Sequence, residues 1–275
     1  MNVLVTGSTG QLGRQVVDAL LEAGHHVRAL TRQSDPGLPE GVDVHVGDLS
    51  EPSVLAEAGA DMDAVFLLAG YTDEAEALRR LAAAGVGRVL LLSSGCVEGG
   101  NLDNYMTRFN TAAEIAVRDG ELAWTVLRPS GFMSNTLQWV DQLKAGDRVR
   151  EPFPGVAVAM VDPADVAAVV PVVLSADHAG RTYRLTGPEP LRPADRVRVL
   201  GEALGRTLRY EPESDDDAHA RMSDGMPPRL VDAFFRFYRD GEYDDSHVTS
   251  TTSDLLGRPP ADFAGWAARH RADFG

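Results

Sequence analysis

Three glycines near the start of the chain, Gly7, Gly10 and Gly13, lie between a short apolar segment and an amphipathic one. Residues 2–6 form the apolar run and residues 11–23 carry Leu and Val at helical spacing, so the sequence predicts a strand, a tight turn and a helix. Glycines at this spacing let loop and helix amides approach a pyrophosphate, as in dinucleotide-binding units. The expected contacts to such a group are Gly7, Ser8, Thr9, Gly10, Gln11 and Leu12.

The alternation of apolar and amphipathic segments continues through the first half of the chain. Predicted strands cover 2–6, 27–30, 42–46, 64–68, 88–93 and 123–128, and predicted helices cover 11–23, 51–58, 74–84 and 105–119. Short apolar strands that alternate with helices predict an α/β fold, a doubly wound parallel sheet of the Rossmann type.

Beyond residue 130 the pattern is less regular. It predicts helices over 135–143, 164–174, 193–204, 230–240 and 260–272, and strands over 156–160 and 181–185. We therefore expect an NADP-binding domain over 1–150, with return segments from about 156–185, and a smaller, irregular α+β substrate and lid region over 186–275.

Composition argues against several classes of partner. A formal net charge of −15 disfavours binding to a nucleic-acid backbone, and the chain has no apolar run of about eighteen residues to span a membrane. Cys96 is the only cysteine and the histidines lack ligand spacing, so no metal site is expected. The acidic clusters 215–217 and 244–245 are interpreted as solvated loops. No basic signal segment precedes the first strand, and we expect a cytoplasmic monomer or small homo-oligomer.

The end of the second predicted strand indicates which dinucleotide is preferred. NAD-binding units usually carry a carboxylate there for the ribose 2′-hydroxyl, but residues 31–34 read T-R-Q-S and the first acid is Asp35. Arg32 is placed to pair with a 2′-phosphate instead, which favours NADP(H). Asp48 and Leu49, after the third strand, are expected at the adenine.

Several segments together resemble the NmrA-like, atypical short-chain dehydrogenase/reductases. They are 6–13 (T-G-S-T-G-Q-L-G), 47–49 (G-D-L), 67–70 (L-L-A-G), 92–94 (L-S-S), 124–133 (W-T-V-L-R-P-S-G-F-M) and 161–167 (V-D-P-A-D-V-A). The resemblance covers about residues 1–205. It implies an NADP-dependent oxidoreductase, with further cofactor contacts at Leu68, Ala69, Gly70, Ser93, Pro129 and Phe132. It also implies Ser93 as the active-site serine, with Ser94 as the alternative.

One departure from that family bears on catalysis. Typical members reduce carbonyls with a Tyr-x-x-x-Lys pair on the helix after the fifth strand, where the tyrosine protonates the alkoxide. Here Met106 and Asn110 stand at those two positions, Tyr105 is one residue off, and Lys144 is the only lysine in the chain. The candidate catalytic residues are therefore Ser93, Ser94 and Asn110.

Three alternatives remain open from the sequence. In the first, the protein is a reductase whose proton comes from a serine, from water or from the substrate itself. In the second, it binds NADP without turnover and reports redox state through protein contacts. In the third, Tyr105 rotates into the site.

The second half of the chain favours the first alternative, with a large aromatic substrate. Its aromatic residues and a Met/Pro-rich segment over 211–240 are typical of an apolar site under a lid. We expect reduction of a ketone or quinone carbonyl in a polyketide-like substrate. The scarcity of lysine beside abundant arginine is consistent with a high-GC actinobacterial genome and with antibiotic biosynthesis. The expected substrate contacts are Gly95, Cys96, Met106, Met133 and Trp139.

Overall fold

A computed structural model describes residues 1–70 and 73–275 of the chain. Its strands are β1 (Asn2–Thr6), β2 (His26–Thr31), β3 (Asp43–Val46), β4 (Ala64–Leu68), β5 (Arg88–Leu92), β6 (Ala123–Pro129), β7 (Arg148–Glu151), β8 (Arg181–Leu185) and β9 (Arg209–Pro212). Its α-helices are α1 (Gln11–Glu22), α2 (Pro52–Gly59), α3 (Glu74–Ala83), α4 (Tyr105–Asp119), α5 (Val140–Ala145), α6 (Pro163–Val173), α7 (Pro193–Leu204), α8 (Asp215–Gly225), α9 (Pro228–Tyr238), α10 (Thr251–Leu256) and α11 (Phe263–Arg269).

Seven strands form one sheet in the order β3-β2-β1-β4-β5-β6-β8. The strands from β1 to β6 pair in parallel. Consecutive residues Val3, Leu4 and Val5 of β1 are all fully buried, so both faces of the central sheet are covered. The chain order reverses between β1 and β4, the switch point at which such sheets bind ligands. The predicted doubly wound fold is confirmed.

Packing divides the chain into two units, each built from several segments. The first unit comprises Met1–Ser94, Phe109–Pro129 and Pro163–Arg184, and the second comprises Gly95–Arg108, Ser130–Asp162 and Leu185–Gly275. Residue 150, where the sequence predicts a boundary, lies inside the segment Ser130–Asp162 of the second unit. The buried side chains of residues 133–149 explain the difference, because they pack in one apolar cluster with Phe263 and Trp266 near the C-terminus.

The first unit is held together by apolar contacts between the sheet and its helices. Leu4, Val65 and Leu91, on three neighbouring strands, share a buried cluster with Leu55 of α2 and Leu81 of α3. Helices α1 and α6 pack against each other, although they are far apart in sequence. Burial of each such leucine or valine contributes roughly 1.5–3 kcal/mol to stability, which is why the periodic apolar residues determine this fold.

The second unit contains a small parallel pair of strands, β7 and β9, that the sequence did not predict. Only Val149 of β7 is buried, so that strand carries a single-residue apolar signal. The strand predicted over 156–160 is wrong, since that segment makes one isolated bridge, between Val158 and Leu191. The helix predicted over 135–143 is a 3-10 helix, Met133–Trp139, followed by α5.

Each acidic cluster matches only part of the predicted solvated loop, since residues 215–217 are exposed but helical and residues 244–245 lie in a loop whose Asp245 is buried. Residues 215–217 are exposed but form the first turn of α8, where Ser214 accepts a hydrogen bond from the Asp217 amide. Carboxylates there are favoured by the positive end of the helix dipole. Asp245 is only 3% exposed. It accepts hydrogen bonds from the Ser130 hydroxyl, the Gly131 amide and the Tyr243 hydroxyl, so this carboxylate is structural.

In the part of the chain that the structure describes, no helix combines the length and the apolar content needed to cross a membrane. Within the same residues, no group of three or more His, Cys, Asp or Glu side chains is arranged to hold a metal ion.

The turn between β1 and α1 requires glycine at two positions. Gly7 adopts a left-handed conformation with φ of +64°. A Cβ on Gly13 would lie 2.0 Å from the carbonyl oxygen of Gly7, so α1 can approach the turn only because Gly13 has no side chain. The glycine spacing therefore reflects close packing of the helix on the loop.

We predict that Gly13→Ala destabilises the protein by about 1–3 kcal/mol, because backbone atoms must move to admit the methyl group. The control is Gly155→Ala, since a Cβ at that position meets nothing within 4 Å. Urea denaturation of both variants gives the two free energies of unfolding. Equal values would contradict the packing role of Gly13.

Candidate active site

The loop after β1 presents the amides of a helix N-terminus. Gly10 is the N-cap of α1, no side chain among the described residues caps it, and the first turn contains no acidic residue. The first amides of a helix have no intrahelical acceptor, and the helix dipole makes this end positive. The loop therefore fits a pyrophosphate. Gly10 and Gln11 are exposed, whereas Thr9 and Leu12 are half-buried.

Two hydroxyl groups hold this loop to the sheet. The Thr6 hydroxyl donates to the Phe66 carbonyl at 2.9 Å and accepts from the Leu68 amide at 3.0 Å, so it ties β1 to β4 at the switch point. Ser8 is fully buried and its hydroxyl donates to the Leu30 carbonyl at 3.2 Å. A ligand can therefore meet the backbone of Ser8 but not its side chain.

The turn after β2 carries the residue expected to select NADP(H). Arg32 is exposed and its guanidinium makes no hydrogen bond to any of the described residues. Arg14, which the sequence analysis did not single out, donates to the carbonyls of Pro36 and Gly37 at 2.7 and 2.9 Å. It thereby fixes the segment that follows Arg32.

Asp48 follows β3, where an adenine contact is expected. The Ser50 amide donates to its carboxylate at 2.9 Å. This bond, a second one from the Ser50 hydroxyl and the charge of Arg32 hold the pKa of Asp48 below its ordinary value. The neighbouring Leu49 is half-buried.

The segment after β4 also follows the switch-point strand. The Leu68 side chain sits over Gly7, where a Cβ would lie 2.3 Å from its Cδ1 atom. The Ala69 amide donates to the Leu92 carbonyl at 3.3 Å, and the Gly70 amide donates to Glu74 Oε1 at 2.7 Å. Because these two amides already donate within the protein, Ala69 and Gly70 can bind a ligand only through van der Waals contacts and their carbonyl oxygens.

A buried carboxylate lies beside the predicted active-site serine. Glu114 of α4 is fully buried and accepts a hydrogen bond from the Ser93 hydroxyl at 2.6 Å. Arg128 donates to both of its oxygens, at 2.8 and 2.7 Å, and Arg118 donates to one of them at 2.7 Å. The hydroxyl proton of Ser93 is therefore directed at Glu114, and the serine oxygen is free to accept but not to donate.

Burial alone would raise the pKa of Glu114. The hydrogen bonds from Arg128 and Ser93, together with the charges of Arg128 and Arg118, outweigh burial and hold that pKa below its ordinary value. Glu114 thus stays ionised at neutral pH, and it is a fixed anion rather than a proton donor.

Other predicted catalytic and substrate residues lie on α4 or before it in the chain, and they differ in burial. Asn110 is 4% exposed and Cys96 is 2% exposed. Gly95 is also buried, and Ser94 and Met106 are half-buried. The buried residues among these have little surface to offer a ligand.

Neither Tyr105 nor Lys144 is arranged as in a Tyr-x-x-x-Lys site. The centroid of the Tyr105 ring lies 5.8 Å from the guanidinium of Arg108 and 4.5 Å from that of Arg229, both in the second unit. The Lys144 side chain is 62% exposed and its ammonium lies 3.9 Å from Asp141. Rotation of Tyr105 into a catalytic position would break its cation–π contacts, so the third alternative is not favoured.

The second unit contains a cavity of about 380 Å³ that is open to solvent. Its wall is mainly apolar and aromatic, and includes Phe153, Val158, Met222, Met226, Phe234 and Tyr238. Its charged lining residues are Glu151, Arg196 and Arg221. This volume and this mixture of many apolar and few polar groups are typical of small-molecule sites. The cavity-lining residue Gly131 follows Pro129, the last residue of β6, by two positions.

The predicted cofactor and substrate contacts at the end of β6 and after it differ in burial. Met133 and Trp139 are 1% and 0% exposed, so they belong to the core of the second unit and do not form the surface of the cavity. Phe132 is half-buried and bridges to Val161, and Pro129 is buried. Trp139 was predicted from the sequence as a substrate contact, but its polar neighbours Glu151 and Arg196 were not predicted. The Trp139 indole donates to Glu151 at 2.9 Å, and its ring faces the Arg196 guanidinium at 5.5 Å.

The sequence profile of a family described as NAD(P)H-binding matches residues 7–177, more than half of the chain. The chain belongs to this NAD(P)H-binding family. The matched region begins at Gly7 of the loop after β1, so the family assignment and the uncapped helix N-terminus agree.

Relatives of known activity extend the match over the whole chain. The chain is 36% identical to (4-alkanoyl-5-oxo-2,5-dihydrofuran-3-yl)methyl phosphate reductase of Streptomyces griseus, with 99% of each chain covered. It is 30% identical to NAD(P)H azoreductase of Xenophilus azovorans, again with 99% of each covered. A solved structure of an NADPH-dependent quinone oxidoreductase from Escherichia coli shares the fold, with a TM-score of 0.80, 22% identity, and 97% of this chain and 98% of that chain covered.

The protein is thus an NAD(P)H-dependent oxidoreductase of the NmrA-like, atypical short-chain type, as its motifs predict. These relatives are named as reductases, and they give no support to a regulator that binds the cofactor without turnover.

We predict that Glu114→Gln lowers the free energy of unfolding by about 3–5 kcal/mol at neutral pH, because Arg128 and Arg118 lose a buried counter-charge. A carboxyl whose pKa is depressed by folding contributes stability above its ordinary pKa and loses it as the pH falls through the depressed value. The difference between wild type and variant should therefore shrink on acidification below about 4.5.

The matched control is Glu202→Gln, which removes an exposed helical pair with Arg198 and should cost at most about 0.5 kcal/mol at any pH. Urea denaturation at several pH values measures both variants. A loss for Glu114→Gln that stays constant with pH would argue against a charge effect.

Proposed function

We propose that the protein is an NADPH-dependent reductase of a quinone or another conjugated carbonyl in a large apolar substrate, aromatic polyketides included. The observation that carries this proposal is the pair of residues on α4 at the usual tyrosine and lysine positions, Met106 and Asn110. Neither side chain can protonate an alkoxide at neutral pH.

The missing acid favours conjugated acceptors over isolated ketones. Bound NADPH supplies a hydride. Addition to an isolated ketone leaves a strongly basic alkoxide, which requires a positioned acid, whereas addition to a quinone or enone leaves a charge delocalised onto oxygen. Such an anion takes its proton from water or from a substrate hydroxyl. The protein then needs to orient the substrate and exclude competing reactions.

The contacts of Ser93 support the same proposal. With its proton directed at Glu114, Ser93 can accept a hydrogen bond from the nicotinamide or from a substrate hydroxyl, and it is a poor proton donor. Ser94 and Asn110 stay in our proposal as groups near the reacting atoms. Water and the substrate are the preferred sources of the proton.

The names of the relatives also favour conjugated acceptors. The Streptomyces griseus reductase is named for a furanone whose ring double bond is conjugated with two carbonyl groups. The other two are named for azo compounds and quinones, which are conjugated as well. By analogy, we propose that the cavity of the second unit receives a conjugated, largely apolar substrate.

We also propose that NADPH is preferred over NADH, through pairing of Arg32 with the 2′-phosphate. The exposed guanidinium without a hydrogen bond to the described residues supports this role, and so does the lack of a carboxylate at the end of β2. Arg14 would act indirectly by holding the segment after Arg32.

We predict that Arg32→Gln weakens NADPH binding about 10- to 100-fold, as expected for the loss of charge-assisted hydrogen bonds, and leaves NADH binding unchanged. Titration calorimetry with both dinucleotides measures the effect. The control is Arg79→Gln, which alters a 72%-exposed arginine paired with Glu76 and should change neither affinity. Equal weakening of NADPH and NADH would refute the phosphate role.

We predict that the protein oxidises NADPH with 1,4-naphthoquinone but reduces acetophenone at least about 100-fold less efficiently, the usual contribution of a general acid. NADPH absorbance measures both reactions. Ser93→Ala should retain kcat for the quinone to within a few-fold, because its proton is not used. Comparable turnover of the two substrates, or no turnover of the quinone, would contradict the proposal.

A further inference from the structure

The cavity of the second unit contains a buried arginine without a carboxylate partner. Arg196 lies on the buried face of α7, is 7% exposed and lines the cavity. Its Nη1 atom donates to the Met160 sulfur at 3.6 Å, and its guanidinium faces the Trp139 ring. Its Nε atom is buried and has no hydrogen-bond partner among the described residues. A thioether is a weak acceptor, so this guanidinium is poorly satisfied.

The other charged groups of the cavity wall do not pair with Arg196. Glu151 accepts hydrogen bonds from Trp139 and Gln138. Arg221 is engaged by the buried carboxylate of Glu213, through bonds of 3.1, 3.2 and 2.7 Å. No ion pair between Arg196 and an acidic residue forms within the described parts of the chain.

The charge that acts most strongly on Arg196 is that of Glu151, which forms no ion pair with it. Burial raises the pKa of Glu151, although the charge of Arg196 opposes that effect. Arg221 and Glu213 compensate each other. The remaining titratable groups that act on Arg196 are the hydroxyls of Tyr210 and Tyr238, which are neutral at physiological pH. The Arg196 guanidinium is therefore left without an ion-paired carboxylate among the described residues, and its Nε–H group without an acceptor.

Burying a guanidinium without an oxygen acceptor costs stability, and an apolar residue of similar size would avoid that cost. We propose that Arg196 binds an oxyanion of the ligand, so that the cavity selects an apolar molecule with one carboxylate or phosphate group. The apolar wall around it, with Phe153, Val158 and Phe234, receives the rest of the molecule. As a statement about the substrate, this inference rests on the proposed reductase function.

The experiment measures binding of octanoate, octyl phosphate and 1-octanol to the protein without cofactor, by titration calorimetry. The three probes share one alkyl chain and differ in the head group. We expect at least one of the two anions to bind about 10- to 100-fold more tightly than the alcohol, and Arg196→Met to abolish that preference. Whichever anion binds more tightly identifies the carboxylate or the phosphate as the preferred group.

Arg198→Met is the matched control. It lies two residues away on the same helix, is 61% exposed and pairs with Glu202, and its variant should keep the preference for the anion. Arg196→Met keeps most of the side-chain volume, and its thermal melting confirms that it is folded. Equal affinity of the wild type for the alcohol and both anions, or equal effects of the two substitutions, would overturn the inference.

A kinetic comparison separates this inference from the proposed function. The substrates are a 2-methyl-1,4-naphthoquinone with a carboxypropyl chain and its methyl ester. We expect KM for the acid to rise about 10- to 100-fold in Arg196→Met, with kcat and the KM of the ester little changed. Turnover of both quinones with equal KM in the wild type would refute the anion site alone. Arg196-dependent binding of the anions without turnover of either quinone would refute the reductase proposal alone.

Discussion

The buried carboxylate of Glu114 is the interaction on which much of the first unit depends. It lies on α4 and accepts hydrogen bonds from the end of β6, through Arg128, and from the residue that follows β5, Ser93. One ionised group therefore fixes the relative positions of two strands and a helix at the edge of the sheet where ligands bind in such folds. The same bonds determine what Ser93 can do, because they use its only proton.

This arrangement explains how the fold can serve a reductase without the usual acid. A structural anion stands next to the serine position, so the serine oxygen is oriented as an acceptor. A reaction that needs no strong acid makes no demand on Met106 or Asn110. The Ser93–Glu114 hydrogen bond, which engages the hydroxyl proton of Ser93 after β5, is therefore consistent with the proposed preference for conjugated acceptors.

The sequence predicted the first unit well because its signals are local and repeated. The glycine spacing around Gly7 and the apolar strands determined the order of elements, and the central strands β1, β4 and β5 each contribute several buried residues. The second unit was harder to predict. Strand β7 buries one side chain, Val149, and the Ser130–Asp245 contact joins residues far apart in sequence. No periodicity can reveal such long-range polar contacts.

The importance of Glu114 and Arg196 could have been predicted from their positions on the apolar stripes of two helices. Glu114 shares a helical stripe with the buried residues Asn110, Ala113 and Val117, and Arg196 shares one with Val197 and Leu200. A charge on the apolar stripe of a helix must be compensated by a partner or by a ligand. The partners themselves come from other elements and can be found only in the folded chain.

The surroundings of Trp139 give the cavity an optical property of its own. The indole is fully buried, its N–H group is bonded to Glu151, and the Arg196 guanidinium lies over its ring. An anion that pairs with that guanidinium changes the electric field across the indole, and with it the energy of the excited state. The contribution of Trp139, one of three tryptophans in the chain, to the intrinsic emission therefore depends on the charges around the cavity.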